Sequence, residues 1–410
     1  MKIAGIVAEY NPFHNGHAYQ VERTRSPEGG GATHVAAVMS GSFVQRGEPA
    51  LLPKADRVRA ALAGGVDLVL ELPVPWALAS AEAFSFGAVS ILDGLGCVDL
   101  LSFGSECGDT AGLEKVVAVM EHPRFSSLLR YHLDYGISFP EARQKAVAEL
   151  AGTRTASLLE SPNNILGIEY LKALRRLSSS IQPFTLKRMG PDHEGERPMG
   201  DMASAGYLRS LYRAGRTWDS AAYLPRAVCP VMEEALGAGR CPAEETRLER
   251  AVLARLRLLS REELELLPGL SEGIENRLAD AVRRAGSLEE LVAAVKTKRY
   301  PLTRVKRLVW SAFLGVQAGW EKRRPPYIRV LGANSRGWEI LSAARKAREG
   351  TEGASFPPLV SRASHFTALP EEAQRLFALE CRAADLYALS LPRPLPCGTE
   401  CTGGMVKGVE

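Results

Sequence analysis

Residues 2–17 read KIAGIVAEYNPFHNGH, and the change of pattern within those sixteen residues decides the fold. From Lys2 to Ala8 the chain is apolar without alternation, which predicts a strand buried on both faces. Asn11, Pro12, Asn15 and Gly16 then break it with turn residues. A helical stretch from His17 to about Thr24 follows, so the chain opens as strand, loop, helix.

The same unit recurs. His34–Met39, Asp67–Leu70 and Val98–Phe103 read as strands, Lys54–Ala63 and Trp76–Leu92 as helices between them, and Phe184–Lys187 as one further strand. Short apolar strands alternating with helices predict a parallel sheet covered on both faces. Helical patterns dominate Leu113–Leu150, and the turn at Ser161-Pro162-Asn163-Asn164 leads into a helix to Leu177. A loop from Gly190 to Gly200 precedes a helix that Ser204 can cap. Beyond a boundary placed at 215–225, helices alternate with Pro/Gly breaks: Leu267-Pro268-Gly269-Leu270 marks a helix–hairpin–helix-like turn, Tyr327–Leu331 a short strand, and the tail after Pro392 looks poorly packed. The expected architecture is α/β, a Rossmann-like parallel-sheet domain over residues 1–220 followed by a mainly helical domain over 221–410.

Composition bounds this reading. A chain of 410 residues with 46% hydrophobic and 24% charged residues is an ordinary folded protein long enough for two cores, which disfavours disordered, collagenous and coiled-coil classes. The N-terminus has no signal-peptide pattern, and the weakly polar stretch 66–101 is interrupted by Asp67, Glu71, Glu82 and Asp93, so a cytoplasmic protein without a membrane partner is expected. The seven cysteines form no C-x-x-C pair and read as reduced thiols, with no disulfide and no zinc site expected. A net charge of +4 is too small to identify a nucleic-acid partner by itself.

The chemistry-bearing segment is the loop after the first strand. Backbone N–H groups and the positive end of a helix at that place make a phosphate site. Gly16 allows close approach of the backbone, and the imidazoles of His14 and His17 can donate hydrogen bonds to charge that builds on a leaving pyrophosphate. Open α/β sheets bind ligands at this edge.

H-x-G-H after a first strand resembles the nucleotidyltransferase superfamily that includes class I aminoacyl-tRNA synthetases. A narrower match rests on GIVAEYNPFHNGH, MSGSFVQRGEPALLPKADR, GVDLVLELP, FGSE, SPNNILGIEYLKAL, LKRMG and SAGYLR, which together resemble the bacterial tRNA(Met) cytidine acetate ligase family over most of the first 215 residues. That resemblance implies activation of acetate by ATP to acetyl-adenylate, then acetyl transfer to the exocyclic amine of the wobble cytidine of elongator methionine tRNA. It implies an ATP site made of Val7, Ala8, Glu9, Tyr10, Asn11, Pro12, Phe13, His14, Asn15, Gly16, His17, Ala18, Tyr19 and Gln20, with Gly104, Asn163 and Arg188. Ser204 and Arg209 stand where related enzymes keep a second phosphate motif; a plain helix cap and a surface charge are the other reading. Mg²⁺ is expected to bridge the phosphates, and no cysteine is placed for a covalent acyl-enzyme. Gln20 and Ser42 depart from the family pattern, where His and Asn are frequent.

The polar loop Ser40–Pro49 is too long for a simple connection. Arg46 or Lys54 is a candidate for holding the acetate carboxylate or a tRNA phosphate, while Lys54 and Arg57 read equally well as the wet face of a helix. In the second half Lys296, Lys298, Arg299, Arg304, Lys306 and Arg307 cluster around Tyr300, with Lys322, Arg323, Arg324 and Arg329 beyond. On a helix from Leu302, the buried stripe leaves Arg304 and Arg307 as candidates for tRNA backbone contacts. Two other classes fit parts of the pattern: a metabolic adenylyltransferase, which needs no basic patch, and a non-catalytic nucleotide-dependent RNA-binding protein.

Overall fold

A computed structural model describes residues 1–190, 197–270, 273–349 and 356–408; residues 191–196 of the expected Gly190–Gly200 loop lie outside them. The strands are β1 (Ile3–Ala8), β2 (His34–Ser40), β3 (Phe43–Val44), β4 (Glu48–Pro49), β5 (Leu68–Leu72), β6 (Leu100–Ser105), β7 (Gln182–Lys187), β8 (Ile328–Ala333), β9 (Leu359–Val360) and β10 (Val406–Lys407). All but the β3–β4 hairpin join one sheet in the order β10-β8-β5-β2-β1-β6-β7, with β9 beside β8. The run β5-β2-β1-β6-β7 is parallel throughout, with Ala4 of β1 facing Val35 on one side and Leu100 on the other.

The apolar runs are continuous because both faces are covered. Along β2, Ala36 and Val38 enter one core with Leu92 and Phe84, while Val35, Ala37 and Met39 enter the other with Val58 and Leu208. From β1 the chain moves out through β2 and β5, then returns to lay β6 on the opposite side. That reversal opens a crevice at the carboxyl ends of β1 and β6, the switch point where such sheets bind ligands.

The second half is rich in helices, including Cys229–Gly237, Ile274–Arg284, Leu302–Leu314 and Glu371–Ala388, yet it also extends the sheet. β8 runs antiparallel to β5, and β10 runs parallel to β8. The expected loose tail after Pro392 is therefore corrected: Glu400 is buried, and Val406 and Lys407 pair with Gly332 and Ala333. Glu400 lies 3.1 Å from the ammonium of Lys54 and also binds Arg329, while Met405 and Val406 pack against the two cores, and no apolar run in the sequence announces the segment. The expected helix Trp76–Leu92 is two pieces, Val74–Ala77 and Ala81–Leu95, the second capped by Ser80. No helix among the described residues is long and apolar enough to cross a membrane.

Candidate active site

The helix Asn15–Arg25 begins with a reciprocal cap made by two histidines. The Gly16 N–H donates to Nδ1 of His14 at 3.1 Å, and the His14 N–H donates to Nδ1 of His17 at 3.2 Å. The ring centroids lie 3.9 Å apart. Gly16 makes this packing possible, because a Cβ there would stand 2.9 Å from Cε1 of His14. Removal from water, reinforced by Arg188 and Arg209, pushes the His14 imidazole down to about 3, and burial with His14 and Arg188 holds His17 well below the usual imidazole range. Both rings are thus neutral, and an accepting Nδ1 leaves each proton on Nε2. The cap fixes two imidazole N–H donors beside a helix N-terminus.

These rings line a cavity of about 410 Å³ with Val7, Ala8, Glu9, Tyr10, Asn11, Gly16, Tyr19, Gln20, Gly104, Asn163, Arg188 and Ser204 of the predicted set. Pro12, Phe13, Asn15 and Ala18 are not on its wall. Phe13 is core, packed 4.9 Å from the ring of Tyr10. Asn15 turns outward and donates to the carbonyls of Asp201 and Ala222 at 2.9 and 3.1 Å. Gln20 donates to the Ser102 carbonyl at 3.1 Å, which ties the helix to β6. Phe84, Phe103, Ile165 and Leu166 give the cavity an apolar side, while Arg46, Lys187 and Arg188 outnumber Glu9, the one carboxylate among the described lining residues. Apolar wall and cationic rim together suit a nucleoside carrying phosphates.

Gly104 is the penultimate residue of β6, where a Cβ would press on Cγ of Arg188 at 3.1 Å, so the missing side chain makes room for the arginine stem. Asn163 is held by a residue that sequence reasoning missed. Glu106 accepts from the Asn163 side-chain amide at 2.7 Å and from the backbone N–H groups of Asn163 and Asn164 at 3.2 and 2.8 Å. The N-terminus of the helix Pro162–Leu177 is thereby satisfied by the protein's own carboxylate. Glu106 lies within the FGSE motif, but nothing local shows a partner 57 positions away.

Ser204 caps the helix Ala205–Arg213 by accepting from the Tyr207 N–H at 3.1 Å. Arg209, on that helix, donates to the Asn11 carbonyl at 2.9 Å and pairs with Glu48 at 3.0 Å. Burial would raise the Glu48 carboxyl, yet Arg209 and Arg213 outweigh it and hold it below the usual range. Arg209 is thus buried beside the loop rather than displayed on its wall.

One expected contact, Lys54, is not brought to the site. Lys54 is buried, and its ammonium meets Glu71, with Glu400 and Glu380 at 3.1 and 3.8 Å. Arg57, read as a wet face, is fully buried and donates to the carbonyls of Glu9 and Ser40 at 2.7 and 2.9 Å, stapling the ends of β1 and β2. The basic cluster of the second half is similarly engaged. Arg304 donates to the Gly269 carbonyl at 3.0 Å and Arg307 to the Gln45 carbonyl at 3.3 Å, while Lys306 pairs with Glu245 at 2.9 Å. Arg329 is paired within the sheet with Glu71 at 3.1 Å. Arg307 nevertheless stands beside the loop that carries Arg46 to the cavity wall.

The chain matches the HIGH Nucleotidyl Transferase family over residues 1–397. It is 39% identical to the tRNA(Met) cytidine acetate ligase of Acetivibrio thermocellus across 96% of each chain. It is 40% identical to that of Syntrophotalea carbinolica, across 96% of this chain and 95% of the relative. Among solved structures it resembles Thermotoga maritima TmcAL bound with alpha-thio ATP, with a TM-score of 0.90 and 31% identity over the full length of both chains. The apo form of that protein gives a TM-score of 0.92 at 32% identity, again over both full lengths.

Proposed function

Because the chain belongs to the tRNA(Met) cytidine acetate ligase family of HIGH nucleotidyltransferases, an ATP-using ligase family, we propose a division of labour among its residues. ATP lies in the crevice between β1 and β6, its nucleoside toward Gly104 and Asn163 and its phosphates toward Arg188 and the N-terminus of the helix Asn15–Arg25. An acetate oxygen attacks the α-phosphorus in line, the bond to the bridging oxygen breaks, and pyrophosphate leaves. The Nε2–H groups of His14 and His17, the helix N-terminus and Arg188 meet the charge that develops on the leaving group. The exocyclic amine of the wobble cytidine of elongator methionine tRNA then attacks the acyl carbon, AMP departs, and the amine loses its proton, giving N4-acetylcytidine. The observation that carries this reading is the reciprocal histidine cap, which holds two neutral rings as N–H donors inside the cavity.

Arg46, on the cavity wall, is our candidate for the acetate carboxylate, and Ser204 for a second phosphate contact. No group of three or more His, Cys, Asp or Glu able to cage a metal exists among the described residues. Mg²⁺ would instead arrive on the phosphates, keep most of its water and neutralise their charge, with Glu9 the nearest carboxylate of the wall. Residues 221–410 form the tRNA-binding part, with Arg304 and Arg307 on the side that continues from the active-site loop, and the enzyme works in the cytoplasm where tRNA is modified.

The test is a reaction with labelled acetate, ATP and total tRNA, followed by digestion to nucleosides. Label in N4-acetylcytidine supports the reading. Adenylate formation with other acids but not acetate, and no label in tRNA, would favour a metabolic adenylyltransferase.

A further inference from the structure

The segment Thr217–Tyr223 is a short 3-10 turn that carries Trp218, 89% exposed. A lone exposed aliphatic needs no partner. Here the setting differs, because the backbone beneath the indole is pinned from both sides. The Arg216 N–H donates to the Leu211 carbonyl at 2.9 Å, and the buried Ser220 hydroxyl donates to the Thr217 carbonyl at 2.6 Å and lies within hydrogen-bond distance of the Tyr212 hydroxyl at 3.0 Å. The backbone that carries the indole is therefore fixed, and the ring stands in water. At its far end the segment is tied to the catalytic loop, through the bond from Asn15 to the Ala222 carbonyl. With a rise of about 2 Å per residue, Trp218 stands about 8 Å along the segment from that tie.

Its surroundings are those of a nucleic-acid contact rather than of a protein interface. Near it in the chain the exposed charged residues are Arg213, which pairs with Glu48 at 3.2 Å, Arg216, Asp219 and Arg226, and the exposed apolar ones among the described residues are small alanines, Ala214, Ala221, Ala222 and Ala227. Arg216 is braced by Asp219 at 2.7 Å. An exposed indole with Arg216 two residues before it and Arg226 eight after it, both exposed, offers a π-face and positive charge in one segment, the combination that unpaired nucleobases and their phosphates recognise. We propose that Trp218 stacks on an unpaired base of the tRNA anticodon loop and so positions the neighbouring cytidine over the cavity. This inference rests on the ligase reading above and assigns to that reaction a substrate-positioning residue outside the ATP site.

The experiment uses the full chain with elongator tRNA(Met). Trp218→Ala is expected to lower kcat/KM for tRNA acetylation by about 10-fold or more, the range found for losing one base–aromatic stack, while Trp218→Phe keeps most of it. Acetate-dependent ATP–pyrophosphate exchange should be unchanged in both. Titration with tRNA should quench indole emission in the parent, and Trp218→Phe should lose that part of the quench. Parental kcat/KM in Trp218→Ala would overturn the proposal. So would an equal loss of exchange and acetylation, which would make Trp218 a support of the fold, or a shift in sedimentation showing that the indole joins two copies of the chain. A parent that acetylates no tRNA would defeat the ligase reading itself, and the quench would still report on stacking separately.

Discussion

His17 caps a helix, and the role in the reaction proposed for it is one that substitution can separate from the cap. Its Nδ1 accepts the His14 N–H, which is the reciprocal half of a helix cap, and its protonated Nε2 is left for phosphate. His17→Gln restores an acceptor at the position where Glu or Gln completes a capping box, whereas His17→Ala loses both tasks. Both variants should slow acetate-dependent ATP–pyrophosphate exchange on the order of 10²–10³-fold, the usual cost of losing one donor to developing charge. Only the alanine variant should also lose stability, by about 1 kcal/mol. Recovery of exchange in His17→Gln would reduce the residue to a cap. The pair stands out in the sequence because its spacing is local and the cap it forms needs no distant partner. Lys54 and Arg57 do not, since what buries them comes from Glu71, Glu380, Glu400 and the carbonyl ends of β1 and β2, none of which a helical pattern reveals.

Among the elements, the five parallel strands were readable from apolar runs and the helices between them from period. β10 was not, because two residues after a Gly-rich stretch carry no strand signal. The helix Pro162–Leu177 shows how an element can be fixed by a partner distant in sequence. Its first N–H groups are met by Glu106, which also clamps the Asn163 amide. With its nitrogen donating to Glu106, Asn163 keeps its carbonyl oxygen toward Arg188, 3.5 Å away. Glu106→Ala should uncap the helix, lowering stability by about 1–2 kcal/mol, and should raise KM for ATP several-fold while kcat falls less. Thermal melting and initial rates across an ATP series check both. An unchanged KM in a folded variant would leave Glu106 a cap only.

At the scale of the molecule, the two halves of the chain are joined through buried charge. Lys54 and Glu71 from the first half meet Arg329, Glu380 and Glu400 from the second. Burial and the proximity of Glu71, opposed by Lys54 and the Val74 N–H, push the Glu380 carboxyl up to about 8, while Lys54 and Arg329 overcome the burial of Glu400 and draw it down to about 2. The two groups act on opposite sides of neutrality. Glu380 keeps its proton in the folded chain after the unfolded chain has lost it, so its contribution is fully present below pH 4.5 and is lost as pH rises to about 8. Glu400 stabilises above pH 4.5, and that contribution is lost as pH falls through about 2. Glu380→Gln retains an acceptor for the Val74 N–H and cannot ionise. Relative to the parent it should gain on the order of 2–4 kcal/mol between pH 5 and 8.5, and a variant tracking the parent across that range by denaturant melts would contradict the assignment. The acylation chemistry is what this scaffold serves, and it is tested most directly by a chase. The full chain is loaded with ATP and labelled acetate, freed of unbound reactants, and then given elongator tRNA(Met) with excess unlabelled acetate. Acetyl-adenylate is expected to form before tRNA is added, and its label to pass to the wobble cytidine in a single turnover. Label that exchanges out into the unlabelled acetate, or that never forms an adenylate without tRNA, would contradict that chemistry.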